Sequence, residues 1–374
     1  MERTGTANIV GDFRLTCIEK HPACKCVSRS LRENFPVPLN APTLYLHIGR
    51  NKAGSTTLQN HWHAHADALR RAGILYGLFG VPGAPESNLP SFPTPGDLAD
   101  FVRSHADQSV LASHEIISCF PADVTRNMAA ELAGLNIRVI FYVRPYRDWV
   151  LSSYSFDVRT GFNGLDFDRY FENIRPLVSF WPMLEAWGET IGWQNVRVRS
   201  LHPSDLQGGD LISDSSAALG VTLPARERDD RANASPSWIV IELLRMIADR
   251  APAGGWSRDG LAIAEALHGY ADMAIEAGGN VPGKAAYLTP GQADWLTDLY
   301  NRDLESLAER TGVSLWPGDP ARRGERTLPP SAAHVPKNII RWILRHALET
   351  DAALLHPEAA AFIGTAEFRR LAEG

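Results

Sequence analysis

The chain has no long apolar run and little net charge, and each absence excludes a class of protein. Among its 374 residues, no apolar stretch approaches the roughly 20 residues of a transmembrane helix. The N-terminus, MERTGTANIVGDFRL, lacks the basic-then-apolar order of a signal peptide, so the sequence predicts a cytoplasmic location. The net charge of −6 provides no basic field, and we therefore expect no nucleic-acid partner.

Cysteine is scarce as well. Three of the 4 cysteines lie close together, at Cys17, Cys24 and Cys26, and Cys119 is distant. Because the paired C-x-x-C spacing of a zinc site is missing, the sequence predicts reduced thiols and no bound metal.

The stretch Leu44 to Gln59, LYLHIGRNKAGSTTLQ, has the pattern of an anion-binding loop. An apolar run ends at Ile48, the chain turns through Gly49 and Gly54, and an amphipathic segment follows. Strand, glycine-bearing loop and helix start thus succeed one another. In this arrangement, backbone N–H groups and the helix N-terminus can bind a phosphate.

The lysine of this loop stands in an unusual place. In the nucleotide-binding pattern G-x-x-x-x-G-K-[ST], the lysine follows the second glycine and the hydroxyl residue binds magnesium. Here Lys52 lies two residues before Gly54, which is followed by Ser55-Thr56-Thr57. A lysine inside the loop can still reach a phosphate oxygen, but the usual magnesium arrangement is lost.

The segment HIGRNKAGSTTLQ resembles the 5′-phosphosulfate-binding loop of sulfotransferases that use 3′-phosphoadenosine 5′-phosphosulfate (PAPS). Those loops commonly contain a Lys-[Ala/Thr]-Gly-[Ser/Thr]-Thr core. The resemblance implies a catalytic role for Lys52, beside the bridging oxygen of the donor. It also implies that the 5′ end of the donor is bound by Arg50, Asn51, Lys52, Ala53, Gly54, Ser55, Thr56 and Thr57.

A second motif follows an apolar, β-branched run, Ile137 to Val143, that is typical of a buried parallel strand. It ends in Arg144, and a predicted helix from Tyr146 carries Ser152 about two turns in. The segment RPYRDWVLSSY resembles the 3′-phosphate motif of the same family, which implies that Arg144 and Ser152 bind the 3′-phosphate. The family also brings a basic late loop over the cofactor, and no spacing rule selects among Arg226, Arg228 and Arg231.

His114 and Glu115 are both candidates for a general base. They follow an apolar strand in SVLASHEIIS, and sulfuryl transfer needs a group that accepts the proton of the acceptor hydroxyl. Cytosolic sulfotransferases carry Thr-His-Leu-Pro at the matching place, which favours His114. Members with a His-Ile-Gly-x-x-Lys loop often carry Ser-x-Glu, which favours Glu115. Neighbours on a strand face opposite ways, so we expect only one to act.

The resemblance covers about Thr43 to Pro317 and implies a three-layer α/β/α fold with a central parallel sheet, similar to P-loop NTPases. The sequence predicts an N-terminal extension over 1–40, a sulfotransferase domain over 41–317 and a linker with a helical tail over 318–374. It does not predict an oligomeric state.

The expected function is therefore transfer of the sulfuryl group of PAPS to an acceptor hydroxyl, without a metal. A saccharide or glycolipid is the expected acceptor, while a small alcohol or a phenol also fits. One alternative is an ATP- and magnesium-dependent kinase, which the place of Lys52 disfavours, as does Arg144 where a magnesium-binding aspartate would be expected. Another is a nucleotide-binding protein of the same fold without catalysis.

Overall fold

A computed structural model describes residues 42–76, 94–105, 107–160, 163–224, 241–242, 244–245 and 287–318. The N-terminal extension, the late loop with Arg226, Arg228 and Arg231, and the predicted tail after Gly318 lie outside the described residues. The boundaries of the extension, the domain and the tail, at residues 41 and 317, therefore stay predictions.

The described residues form a five-stranded sheet in the order β2-β3-β1-β4-β5, with every neighbouring pair parallel. The strands are β1 Thr43–His47, β2 Ile74–Leu75, β3 Ser109–Ser113, β4 Asn136–Val143 and β5 Val196–Ser200. This confirms the α/β class and the central parallel sheet. Because β1 lies between β3 and β4, the segment that leaves β1 emerges at the middle of the carboxyl edge, where α/β sheets usually bind ligands.

Helices connect the strands and cover the sheet. They are α1 Ser55–Ala64, α2 Ala66–Arg71, α3 Pro95–Ser104, α4 Ala122–Leu132, α5 Tyr146–Arg159, α6 Phe167–Ile174, α7 Trp181–Ile191, α8 Leu211–Leu219 and α9 Pro290–Thr311. Short 3₁₀ turns lie at Glu115–Cys119, Arg175–Leu177, Trp193–Asn195 and Gln207–Gly209. Among the helices of the described part, none is long and apolar enough to cross a bilayer.

Two separate apolar clusters lie on opposite faces of the sheet, as the two-residue period of a strand requires. Phe141 belongs to the cluster that also contains side chains of α3, α4, α5, α6, α7 and α9. Its neighbour Tyr142 belongs to the other cluster, with side chains of α1, α2 and α8. Helices thus cover both faces, and the predicted three-layer α/β/α arrangement is confirmed.

Helix ends follow the capping residues of the sequence. Thr289 and Gln292 form a reciprocal capping box at the start of α9, which ends before Gly312 in the left-handed conformation. Asp210 caps α8, and the helix ends before Gly220. The sequence predicts helices from Asp210 to Leu219 and from Pro290 to Thr311. Both are confirmed, and α8 begins one residue later because Asp210 is its cap.

Candidate functional site

The phosphate-type loop connects β1 to α1 at the centre of the carboxyl edge of the sheet. Gly54 precedes α1 with a φ of 81°, and Lys52 has a φ of 63°, a region that side-chain-bearing residues rarely occupy. A hydrogen bond of 3.0 Å from the Ala53 N–H to the Arg50 carbonyl closes the turn. The loop is therefore a tight, defined turn at the start of a helix.

Gly49 has no room for a side chain. A Cβ at this position would lie 2.5 Å from the ring of His47 and 2.7 Å from the Ser55 Oγ. His47 is fully buried beneath the loop, and its Nδ1 shares a hydrogen bond of 2.8 Å with the Ser113 Oγ. Burial lowers the pKa of His47 to about 3, so this ring is neutral and packs as part of the loop's support.

The side chain of Arg50 points away from the mouth of the loop. Its guanidinium lies 3.5 Å from the ring centroid of Trp149 in α5 and donates to the carbonyls of Leu177 and Val178, at 3.0 and 2.6 Å. Trp149 also donates its indole N–H to the carbonyl and side-chain oxygens of Asn51, at 3.0 and 3.1 Å. We call these contacts of Trp149 with Arg50 and Asn51 the Trp149 clamp. It fastens the loop to α5.

The remaining loop residues differ in accessibility. Ala53 is fully buried, and Ser55 is 2% exposed with its hydroxyl donating to the Arg50 carbonyl at 3.2 Å. Thr56 is exposed and Thr57 half-buried in the first turn of α1. The accessible hydroxyls near the loop are thus those of the two threonines, and the expected contacts of the loop residues with a donor stay predictions.

Lys52 lies against α5 in a partly buried, charged environment. Its ammonium is 3.6 Å from the ring centroid of Phe156. Burial lowers the pKa of Lys52. Two neighbouring carboxylates raise this pKa and two neighbouring guanidinium groups lower it, in descending order of effect Glu115, Arg159, Asp157 and Arg144.

Arg144 joins the two predicted motifs. It follows β4 directly, and its Nη1 donates to the Lys52 carbonyl at 3.2 Å. Ser152 is half-buried, about two turns into α5. The structure therefore brings the loop and the arginine of the second motif into contact, as the proximity of the β1 and β4 carboxyl ends requires.

His114 and Glu115 do not alternate across a strand, because β3 ends at Ser113. The expectation that they face opposite ways as strand neighbours is therefore wrong. His114 instead precedes the 3₁₀ turn Glu115–Cys119, and its Nδ1 accepts the N–H of Ile116 at 3.1 Å. Burial lowers the pKa of His114 to about 4, so the ring is neutral, and with Nδ1 accepting, its proton lies on Nε2.

The structure brings together most of the residues that the sequence selected. Lys52, Arg144 and Glu115 belong to one cluster of charged residues, while the Arg50 and Ser55 side chains support the loop from within. Within the described residues, no group of three or more His, Cys, Asp or Glu side chains could hold a metal ion.

Sequence reasoning missed Phe156 and Arg159, which also lie beside Lys52. A signal was present, because these residues stand four and seven positions after Ser152 and therefore share its helix face. It also missed His47, whose buried position under a glycine has no signature in the sequence.

Comparisons with known proteins give one distant likeness to report. No protein-family model matches the chain, and a search of curated proteins finds no significant match. Among solved structures, the chain is similar to a sulfotransferase from Alicyclobacillus acidocaldarius, with a TM-score of 0.35 and 14% sequence identity. The match covers 73% of this chain and 97% of that one. At this TM-score the likeness carries no argument about function.

Proposed function

We propose that this protein is a sulfotransferase that moves the sulfuryl group of PAPS to an acceptor hydroxyl. The observation that carries the proposal is the hydrogen bond of 3.2 Å from the Arg144 side chain to the Lys52 carbonyl. It joins a phosphate-type loop with a displaced lysine to a strand-end arginine. A donor with phosphate groups at both its 3′ and 5′ positions needs two such anion sites side by side.

The loop fits the 5′ end of the donor. Gly49 leaves no space for a side chain under the loop, and the left-handed Gly54 directs the chain into the N-terminus of α1, where backbone N–H groups are free of helical partners. Lys52, which is partly buried, would neutralise the charge that gathers on the leaving phosphate. Positioned donors of this kind commonly contribute about 3 kcal/mol to a transition state.

The second motif fits the 3′-phosphate. Arginine presents paired N–H donors in a planar fork, and Arg144 would use it together with the Ser152 hydroxyl. Thr56 and Thr57, which are accessible, would add hydroxyl donors at the loop. These contacts would distinguish PAPS from a nucleotide without a 3′-phosphate.

Glu115 is our candidate for the general base. The lone pair of His114 Nδ1 already accepts the Ile116 N–H, and its Nε2 carries a proton, so the neutral ring has no free lone pair for the acceptor. Glu115 lies near enough to Lys52 to raise the pKa of that lysine. His114 would then orient the turn that carries Glu115.

In the proposed transfer, one S–O bond forms and another breaks. The acceptor oxygen forms a new S–O bond, and the S–O bond to the bridging phosphate oxygen breaks. The acceptor proton passes to the Glu115 carboxylate, and the leaving group is adenosine 3′,5′-bisphosphate. In-line placement of acceptor and leaving oxygen supplies much of the remaining rate.

Calorimetric titration tests the donor assignment. We expect the protein to bind adenosine 3′,5′-bisphosphate without magnesium, and to bind adenosine 5′-phosphate at least about tenfold more weakly because Arg144 and Ser152 lose their partner. Arg144→Gln should remove this difference. Tight binding of ATP with magnesium, and no heat from the bisphosphate, would instead favour a kinase and overturn the proposal.

A further inference from the structure

Arg159 is a cation near Lys52 that the proposed binding of the donor does not use. It follows Ser152 by seven residues and Phe156 by three, so the three side chains share one face of α5. At about 1.5 Å per residue, Arg159 is roughly 10 Å farther along the helix axis than Ser152. Its backbone is therefore about two turns beyond the proposed 3′-phosphate site at Ser152.

Arg159 is near enough to Lys52 for its charge to act on that lysine. The Lys52 ammonium contacts the Phe156 ring at 3.6 Å, one turn before Arg159 on the same face. The positive charge of Arg159 lowers the pKa of Lys52 by more than that of Arg144 does, although Arg144 is hydrogen-bonded to the Lys52 carbonyl. Arg159 is thus close to the place where the sulfuryl group would be transferred.

The described residues leave Arg159 without a matching anion. Its side chain is half-buried, and its buried Nε has no hydrogen-bond partner among the residues that the structure describes. Neighbouring Asp157 instead accepts a hydrogen bond of 2.8 Å from the Tyr170 hydroxyl. A buried guanidinium N–H without a partner is costly, and an acidic group on a substrate would satisfy it with a charge-assisted bond.

We infer that Arg159 binds an acidic group on the acceptor, so that the preferred acceptor carries a carboxylate or sulfate near the hydroxyl that is sulfated. This inference rests on the proposed function, and it names the class of acceptor. In the proposed function, Lys52 and Arg144 are the cations for the donor's phosphates. Arg159 adds a further cation beyond Phe156 on the same face of α5, away from Ser152. An acceptor that approaches the sulfuryl group from that side would bring its acidic group to Arg159.

Two matched acceptor pairs test the inference. Phenyl β-glucuronide and phenyl β-glucoside differ by a carboxylate, as do 4-hydroxyphenylacetate and 4-hydroxyphenylethanol. PAPS-dependent sulfation of all of them is measured with the wild type, Arg159→Gln and Arg159→Lys. Arg103→Gln is the control. Arg103 also lies in the last turn of a helix, α3, but this helix leads into the start of β3, whereas the loop follows the carboxyl end of β1.

We expect the wild type to prefer the acidic member of a pair, and Arg159→Gln to lose about tenfold to 100-fold in kcat/KM on that member through KM. Activity on the neutral member and the Kd for adenosine 3′,5′-bisphosphate should stay within about twofold. Arg159→Lys should recover part of the loss, and Arg103→Gln should behave as the wild type.

Several results would overturn the inference. Equal losses of kcat/KM on acidic and neutral acceptors would mean that Arg159 acts on the transferred sulfuryl group and not on an acidic group of the acceptor. If Arg159→Gln changes only the melting temperature, Arg159 stabilises the end of α5 and binds no acceptor. A wild-type preference for neutral acceptors, or activity on none of them with bisphosphate binding intact, would also refute it while the donor assignment stands. Failure to bind the bisphosphate would instead overturn the proposed function itself.

Discussion

The two candidates for the general base, His114 and Glu115, differ in whether a lone pair is available to accept a proton. His114 uses Nδ1 to accept the Ile116 N–H, as a capping residue does, and its lowered pKa of about 4 keeps it neutral. Glu115, the next residue, raises the pKa of Lys52 through its negative charge. A proton acceptor needs a free lone pair, and this favours the carboxylate over the imidazole.

Substitution of the two residues separates their roles. We expect Glu115→Gln to lower kcat by about 100-fold or more, which is the usual contribution of a general base. His114→Asn can still cap the turn, and should keep most of kcat at a cost of at most about 1 kcal/mol in the free energy of unfolding. Steady-state kinetics and denaturant unfolding measure both effects. An inactive His114→Asn beside an active Glu115→Gln would reverse the assignment.

Gly49 leaves no room for a side chain beneath the loop. Gly49→Ala would press a methyl group against the buried His47 ring and the Ser55 Oγ. We expect a loss of about 1–3 kcal/mol in the free energy of unfolding, together with weaker bisphosphate binding. Gly134→Ala is the control, because a Cβ there meets no atom within 4 Å, and it should stay within about 0.5 kcal/mol of the wild type. Equal effects of the two substitutions would contradict the close packing under the loop.

Among the elements, α5 contributes most to the candidate site. Its first turns carry Trp149, which holds Arg50 and Asn51 of the loop, and its later turns carry Phe156 and Arg159 beside Lys52. The helix thus sets where the loop lies as well as what surrounds the lysine. Since α5 follows Arg144 directly, one element supports both motifs.

A conservative change tests the Trp149 clamp. Trp149→Phe keeps a ring under Arg50 but removes the indole N–H that Asn51 accepts. We expect bisphosphate binding to weaken by about tenfold, with a loss of only about 1 kcal/mol in the free energy of unfolding.

Trp187→Phe provides the matched control for the clamp. Trp187 is also fully buried, in α7, and its indole nitrogen has no hydrogen-bond partner among the described residues. The Trp187→Phe variant should bind the bisphosphate as the wild type does. If both variants bind the ligand equally well, the clamp does not position the loop.

Elements with strong local signals could be predicted from the sequence. α9 has a capping box and a terminal glycine, and β4 is a continuous apolar run, so both appear close to their predicted bounds. The 3₁₀ turn after β3 was not predicted, because its cap is a histidine, a residue without the usual N-cap preference. Because this turn was not predicted, His114 and Glu115 were wrongly expected to face opposite ways as neighbours on a strand.

At the scale of the whole molecule, the sheet separates two apolar layers, and His47 is buried in the layer under α1. Its ring makes edge contacts with Trp62 and Tyr142, at centroid distances of 5.2 and 6.2 Å. The unfolded chain binds a proton at this histidine near pH 6.5, whereas the folded chain does so only near pH 3. His47 therefore favours folding above pH 6.5, and this stability is lost as the pH falls toward 3.

The pH dependence of unfolding checks this burial. We expect the free energy of unfolding to fall below about pH 6.5 by up to about 1.4 kcal/mol per pH unit from His47 alone, with His114 adding to the slope down to about pH 4. His47→Gln should reduce the slope, after correction for its packing cost measured at pH 7.5. Denaturant titrations between pH 7.5 and 4.5 provide both values, and an unchanged slope would contradict the burial of a neutral His47.

The candidate site could be predicted in part, since its motifs are contiguous in sequence. The loop and the Arg144 segment lie on adjacent parallel strands, and parallel order alone brings their carboxyl ends together. The side-chain directions of Arg50 and Ser55 could not be predicted, because they depend on Trp149 and on backbone carbonyls distant in the chain. The spacing of Phe156 and Arg159 places them on the helix face of Ser152, but their position near Lys52 depends on how α5 packs against the loop.

Sulfuryl transfer from PAPS is the most direct test of the central claim. PAPS labelled in its sulfuryl group is incubated with the protein and the acidic and neutral acceptors, without magnesium. We predict equal amounts of labelled acceptor and adenosine 3′,5′-bisphosphate, and a loss of at least about 100-fold in Lys52→Ala with its melting temperature little changed. A protein that releases no bisphosphate with any acceptor, yet consumes ATP with magnesium, would contradict the claim.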